Sequence, residues 1–218
     1  MIIGPGFVIA NPTKTGKESI EALAKVTDGM FYIRTNHMMP VPEQYADYDR
    51  HMMTRDPYHR LISIWNYIGR RKTDWGHEMA QKPFHEFVPE FLDARAKLLT
   101  HESTDTYGAP GVWIYNQTDN WNILCSDAHL DGSYSVPCYQ WKLEEADAMV
   151  GWMMVRYGIE PGREFPRTNT ADNHKERSGQ RPGPYRLATY YVGKKLRSRV
   201  WEEWSGEDCR TFGYDRPF

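Results

Sequence analysis

Cysteine is scarce in this chain, and no two cysteines have the spacing of a metal or redox motif. The 218 residues include three cysteines, at Cys125, Cys138 and Cys209. None belongs to a CxxC pair, so the sequence indicates neither a disulfide framework nor a cysteine-ligated zinc site. This usage favours a protein from a reducing compartment.

A large excess of charge of either sign is also missing. The chain has 27 Lys and Arg against 29 Asp and Glu, for a formal net charge of −2 at pH 7. A general nucleic-acid-binding protein would carry a clear basic excess, so this balance argues against that class. It leaves room for a local basic site.

Long apolar runs are absent as well. No stretch approaches the roughly 18 apolar residues of a membrane-spanning helix, and the N-terminus lacks the basic region of a secretory signal peptide. We therefore expect a cytoplasmic protein without a membrane span. The length of 218 residues suits one domain over residues 1–218.

Short apolar runs alternate with amphipathic segments along most of the chain. The runs predict strands at 7–10, 30–33, 51–54, 113–115 and 139–143. The segments of helical period predict helices at 18–26, 58–71, 83–99, 143–157 and 187–204. This alternation predicts an α/β fold with a central, mainly parallel sheet flanked by helices. Residues 160–186 are rich in proline, glycine and arginine and are predicted to form a mobile loop.

The segment Asn11 to Ser19 has the layout of an anion-binding loop between a strand and a helix. Gly16 allows close approach of the backbone, Lys14 and Lys17 add positive charge, and Ser19 adds a hydroxyl. A helix N-terminus in this position presents backbone N–H groups to an anion. The alternative is a lysine-rich turn before a surface helix.

This loop is not a Walker A motif. Asn11 stands where that motif requires glycine, and Glu18 stands where it requires a serine or threonine to bind magnesium.

A second segment, with the sequence RDPYHRLIS, runs from Arg55 to Ser63 and joins the end of the third predicted strand to the next helix. A guanidinium at a strand end and a hydroxyl on the following helix could converge on one phosphate. The alternative is an Arg–Asp pair beside a solvated helix face.

These segments resemble the sulfotransferases that use 3′-phosphoadenosine 5′-phosphosulfate (PAPS), especially the carbohydrate and Golgi-type branch. In that family a PKxGTTS-like loop follows the first strand, and an RDPxxRxxS segment follows the third. Residues 14–19 correspond to the first motif, and residues 55–63 match the second completely. The C-terminal residues 208–214 are similar to the DxxxFGY ending of the branch. The loop departs from the family at Thr13, Lys17 and Glu18, which replace a proline and two small hydroxyl residues.

The resemblance implies a three-layer P-loop-like fold and a transferase activity. The sulfuryl group would pass from PAPS to a hydroxyl or amine of a saccharide or small molecule, leaving 3′,5′-adenosine bisphosphate (PAP), and no metal would be needed. Lys14 would stabilise the leaving oxygen, and Arg55 with Ser63 would hold the 3′-phosphate. The residues expected to bind the donor are Lys14, Thr15, Gly16, Lys17, Glu18, Ser19, Arg55 and Ser63.

The general base is the least specific assignment. Histidine suits proton transfer near neutral pH, and His37 follows the second predicted strand at the end of a parallel sheet where active sites lie. In the family a His or Glu in this region acts as base. We therefore expect His37 as the base, with Glu43 as the second candidate.

Two other functions stay open at this point. A P-loop kinase or NTPase is disfavoured by Asn11 and Glu18, and would be recognised by magnesium-dependent binding of ATP. A non-catalytic nucleotide-binding module with a degenerate donor loop is kept open by Lys17 and Glu18. Such a module would bind PAP without transferring sulfate.

Overall fold

The computed structural model divides the chain into two compact units. It describes residues 1–10, 12, 14–32, 41–71, 76–99, 114–126, 136–159 and 187–218. The first unit is built from Met1–Arg55 and Asp119–Gln180, and the second from Asp56–Thr118 and Arg181–Phe218. The predicted loop at 160–186 lies outside the described residues, and the single domain over 1–218 stays a prediction.

The first unit contains a five-stranded mixed sheet with strand order β3-β1-β2-β4-β5. Its strands are β1 (Ile2–Gly4), β2 (Phe7–Ala10), β3 (Phe31–Tyr32), β4 (Asp49–Thr54) and β5 (Cys138–Lys142). β2, β4 and β5 are parallel neighbours, whereas β1 pairs antiparallel with both β2 and β3. Four of the five strands therefore run in one direction, which agrees with the predicted mainly parallel sheet.

Helices flank this sheet. They are α1 (Lys17–Val26), most of α4 (Gln117–Ser126) and α5 (Ala146–Tyr157), which a short 3-10 turn at Leu143–Glu145 precedes. Buried residues of α1 and α5 form one cluster with Phe7 and Ile9 of β2. Arg50 of β4 pairs in register with Val8 and so lies on the face of the sheet opposite to Phe7 and Ile9, because side chains alternate along a strand. Its guanidinium donates to the carbonyl of Leu124 in α4 at 2.5 Å.

The second unit is helical over its described residues. Its helices are α2 (Pro57–Ile68), α3 (Phe84–Leu99), α6 (Leu187–Tyr190), α7 (Lys194–Val200) and α8 (Gly206–Phe212), with a short 3-10 turn at Met79–Gln81 and a π-helical turn at Trp201–Ser205. The apolar stripe predicted for α2 is buried at Leu61, Ile64 and Ile68. These residues pack with α3, α7 and Trp204 in one hydrophobic core.

The structure differs from the sequence prediction in four places. The predicted strand at 113–115 is wrong, because Ile114 is helical and Tyr115 is not in a strand. The predicted helix at 187–204 is interrupted after Tyr190. The break is at Gly193, whose φ of 84° is unsuited to an α-helix. Strand β1 and helix α4 had no predicted counterpart.

Within the described part of the chain, no helix combines the length and apolar character needed to cross a membrane.

Candidate functional site

The candidate site lies where β2 and β4 end. The two strands are hydrogen-bonded neighbours in parallel register, with Ile9 beside His51 and Ala10 beside Met52. The carboxyl ends of parallel neighbours meet at the same edge of a sheet, which is where ligands bind in open α/β folds. The loop that continues from β2 and the Arg55 that follows β4 therefore start from adjacent positions.

The loop after β2 has a tightly specified backbone. Lys14 has a φ of 67° and is the single described non-glycine residue with a positive φ, and Gly16 has a φ of 97°. The buried hydroxyl of Thr15 donates to the carbonyl of Pro12 at 2.6 Å, and the Thr15 backbone N–H donates to the same oxygen at 3.3 Å. These two hydrogen bonds to the Pro12 carbonyl stabilise the turn at Thr15.

Gly16 is required by both conformation and space. Its left-handed backbone disfavours any residue with a Cβ atom. A Cβ built there would lie 2.6 Å from Cδ1 of Leu143. This geometry shows Gly16 packed against Leu143, and the predicted close approach of its backbone to an anion stays a prediction.

Helix α1 starts directly after Gly16. The backbone N–H groups of Ser19 and Ile20 donate to the Gly16 carbonyl at 3.0 and 3.1 Å, so the first turn is tightly closed. Ser19 is buried, whereas Glu18 is exposed in the first turn. Lys17 is the first helical residue. An acidic residue in a first turn stabilises the helix through its dipole, but its charge opposes an anion bound there.

Arg55 connects the two sequence motifs. It is half-buried, and its Nη1 donates to the carbonyl of Lys14 at 3.4 Å. The strand-end guanidinium thus lies directly against the backbone of the loop. The structure brings Lys14, Thr15, Gly16, Ser19 and Arg55 together.

The residues after Arg55 have structural roles of their own. Asp56 caps α2, since its Oδ1 accepts from the His59 backbone N–H at 2.9 Å, and Pro57 opens the helix. Burial by itself raises the pKa of Asp56, but hydrogen bonds with His59 outweigh burial and lower the pKa below its ordinary value.

Arg60, the second arginine of the RDPYHRLIS segment, is not an exposed cation. It is fully buried within the second unit, and its Nη2 donates to the carbonyl of Tyr115 at 2.9 Å. Its guanidinium also lies 5.0 Å from the centre of the Trp204 ring, in a cation–π contact. Arg60 is therefore part of the core of α2 and not of an exposed basic face.

The remaining predicted site residues are distributed differently. Ser63 lies half-buried on α2, in the second unit. Its convergence with Arg55 on one phosphate stays a prediction. Glu43 is exposed at the start of a 3-10 turn, Glu43–Tyr45. His37 lies outside the described residues.

The C-terminal motif forms a buried cap that the sequence did not reveal. Asp208 is fully buried, and its carboxylate accepts four hydrogen bonds from the first two residues of α4. The Gln117 backbone N–H and Nε2 both donate at 3.1 Å, and the Thr118 backbone N–H and Oγ1 donate at 2.8 and 2.9 Å. The first residue of the DxxxFGY-like ending therefore serves to start a helix.

A second buried polar group, His51, lies in the middle of β4. Trp141 Nε1 donates to His51 Nδ1 at 3.0 Å, and His51 Nε2 lies 2.7 Å from the Tyr157 hydroxyl. That hydroxyl donates to Asp49 at 2.8 Å, so the contacts fit a neutral imidazole with its proton on Nε2. Burial lowers the pKa of His51 to about 4, although the nearby Asp49 carboxylate raises it.

Among the described residues no group of three or more His, Cys, Asp and Glu side chains could hold a metal ion.

Comparisons with known proteins add no family to this picture. No protein-family model, no curated protein and no solved structure matches the chain significantly.

Proposed function

We propose that this protein is a sulfotransferase that moves the sulfuryl group of PAPS to a hydroxyl or amine of a saccharide or small molecule. The observation that carries the proposal is the contact between Arg55 and the Lys14 carbonyl. Two segments that resemble the donor-binding motifs of one family lie 41 residues apart in sequence and touch in the structure. A chance resemblance of either segment alone would not require this contact.

The sheet is consistent with the three-layer P-loop-like fold that the proposal needs. The resemblance places the donor loop and the 3′-phosphate arginine each directly after a strand. Here those strands are β2 and β4, which are parallel neighbours, and helices flank the sheet.

The chemistry assigns a task to each residue. The acceptor oxygen or nitrogen attacks sulfur, the bond from sulfur to the 5′-phosphate oxygen breaks, and PAP leaves. Lys14 would stabilise the negative charge that develops on the leaving oxygen. Arg55 would hold the 3′-phosphate, and His37, or else Glu43, would take the proton from the acceptor.

The loop would bind the 5′-phosphosulfate through its backbone more than through hydroxyl groups. The Thr15 hydroxyl proton is directed to Pro12, and Lys17 and Glu18 replace the family's small hydroxyl residues. The backbone N–H groups of Thr15, Ser19 and Ile20 already donate within the loop and the first turn. The backbone donors to the phosphosulfate would therefore be the N–H groups of Gly16, Lys17 and Glu18.

A non-catalytic module that binds PAP is the second candidate. It is favoured by the exposed Glu18 in the first turn of α1, whose charge opposes the donor's phosphosulfate. Under this alternative PAP binds and no sulfate is transferred.

Calorimetric titration with PAP, and separately with ATP and magnesium, tests the nucleotide site. We expect PAP to bind and ATP to bind far more weakly. Arg55→Lys should weaken PAP binding about tenfold or more, because a lysine ammonium cannot reproduce the planar, two-pronged contact of a guanidinium with phosphate. Arg71→Lys, at an exposed position after α2, is the matched control and should bind PAP like the wild type. Equal affinity of the Arg55 variant, or a preference for ATP with magnesium, would contradict the proposal.

A further inference from the structure

Two of the three cysteines lie next to each other, although 13 positions separate them in sequence. Cys138 is the first residue of β5 and pairs in register with Arg50 of β4. The Arg50 backbone N–H donates to the carbonyl of Pro137 at 2.8 Å. The guanidinium of the same Arg50 donates to the carbonyl of Leu124, the residue before Cys125. Arg50 therefore hydrogen-bonds to the residue that precedes each of the two cysteines.

The Cys125 and Cys138 thiols are close enough to affect each other's ionisation. The Cys138 thiol also donates to the carbonyl of Val136 at 3.7 Å. Both side chains are half-buried, so small reagents can reach them. The third cysteine, Cys209, is buried in the second unit. Cys125 lies in the last turn of α4 and Cys138 is the first residue of β5, so both cysteines are at the ends of their elements.

The charges around the pair favour a thiolate at Cys138. The neighbouring Cys125 thiol lowers the pKa of the Cys138 thiol, and the Arg50 guanidinium lowers it further, against the opposing effects of burial and Asp49. The Cys138 thiol in turn raises the pKa of Cys125. Cysteines that react with oxidants are partly exposed and lie close to a positive charge.

We propose that Cys125 and Cys138 form a reversible intrachain disulfide when the protein meets a hydroperoxide. The Cys138 thiolate attacks the terminal peroxide oxygen, the O–O bond breaks, and Cys138 becomes a sulfenic acid while the peroxide leaves as water or an alcohol. The Cys125 sulfur then attacks the Cys138 sulfur, and the sulfenic oxygen leaves as water. Two thiols are oxidised by two electrons in total, and one peroxide is reduced. A small thiol reverses the reaction by thiol–disulfide exchange.

Peptide mapping of the folded protein tests this disulfide. The wild type is exposed to a small molar excess of hydrogen peroxide, remaining thiols are blocked with iodoacetamide, and the chain is digested. Trypsin alone keeps both cysteines on one peptide, because no Lys or Arg lies between Lys97 and Lys142. A protease that cleaves before aspartate cuts at Asp127 and Asp131. The disulfide then appears as two peptides joined by a bond that dithiothreitol breaks.

We expect the joined peptides in the wild type and in Cys209→Ser, and their loss in Cys125→Ser. The linkage should form at least several-fold faster in the native protein than in urea, because the fold holds the thiols together. The proposal is overturned if both cysteines stay open to iodoacetamide after oxidation, if they link only to other chains, or if Cys138 is oxidised further without linkage. The native and urea arms of the wild-type experiment decide the question even if a serine variant does not fold. No arm contains a nucleotide, so the result is independent of the proposed sulfotransferase activity.

Discussion

Lys14 is the residue on which the proposed chemistry depends most. Its backbone has a φ of 67°, and its carbonyl accepts a hydrogen bond from Arg55. Few residues other than glycine adopt this conformation, so the surrounding loop holds it in place. Such unusual backbone conformations often occur where a side chain has to be aimed.

Replacing this lysine tests its role without changing the strain of the loop. Lys14→Ala retains a Cβ atom, so the backbone energy at the positive φ stays similar. Removing one charge-stabilising donor typically costs about 3–4 kcal/mol in the transition state, so the turnover of PAPS should fall by roughly a hundredfold to a thousandfold. Lys25→Ala, on the exposed last turn of α1, should turn over PAPS like the wild type. If Lys14→Ala is as active as this control, Lys14 is not catalytic.

Single residues also show what the sequence could not predict. The order of residues identified the loop and Arg55, because both motifs consist of neighbours in sequence. It could not distinguish an exposed cation from a buried one. Arg60 has the same charge as Arg55, but it is buried against Trp204 and Tyr115. Those two residues are distant in sequence, and no local pattern reports their contact.

At the scale of elements, short apolar runs and helical periods identified most of the longer strands and helices. β2, β4, β5 and helices α1 to α3 all lie within a few residues of their predicted bounds. β1 is a three-residue strand that a tight turn at Gly4–Pro5–Gly6 joins to β2. The glycines and proline beside it indicate a loop, so the sequence pattern did not predict a strand there. Helix α4 has a weak apolar period and is started by a carboxylate from a distant part of the chain. Only the folded chain brings that cap into place.

Helix α4 supplies a test at this scale. In Asp208→Asn one acceptor oxygen becomes an NH₂ group facing N–H and O–H donors, and buried donors without an acceptor cost about 1–3 kcal/mol. The free energy of unfolding should fall by about 2 kcal/mol in urea titrations followed by circular dichroism. Asp215→Asn, at an exposed position near the C-terminus, should change it little. Equal stability of the two variants would contradict the capping role of Asp208.

At the scale of the whole molecule, the net charge is close to zero, although charged and titratable side chains are unevenly placed. The net charge of −2 argues against nucleic acid as a partner. Under the proposed function, Arg55 beside the Lys14 loop would bind the anionic donor. The buried His51 adds a dependence of stability on pH that composition did not suggest.

The pH dependence follows from the lowered pKa of His51. Folding reduces its pKa from 6.5 to about 4. Between about pH 6.5 and pH 4, His51 is protonated in the unfolded chain but neutral in the folded protein. The free energy of unfolding therefore falls as the pH drops through this range. The free energy of unfolding should lose about 3 kcal/mol from this group between roughly pH 6.5 and pH 4.

Urea titrations of paired variants measure this contribution. In His51→Gln the difference in unfolding free energy between neutral and acidic pH should shrink, because the titrating group is gone. His85→Gln removes an exposed histidine from α3 and should keep the wild-type difference. If the two variants show the same dependence on pH, His51 is not the group responsible.

The most direct test of the central claim is transfer of label from PAPS carrying a radioactive sulfate. The wild type is mixed with it and with a panel of saccharides, phenols and amines, and the products are separated. We predict that label moves to at least one acceptor, that PAP is released in equal amount, and that Lys14→Ala does neither. If PAP binds but the wild type neither releases it from PAPS nor labels any acceptor, the protein is a nucleotide-binding module and not a sulfotransferase.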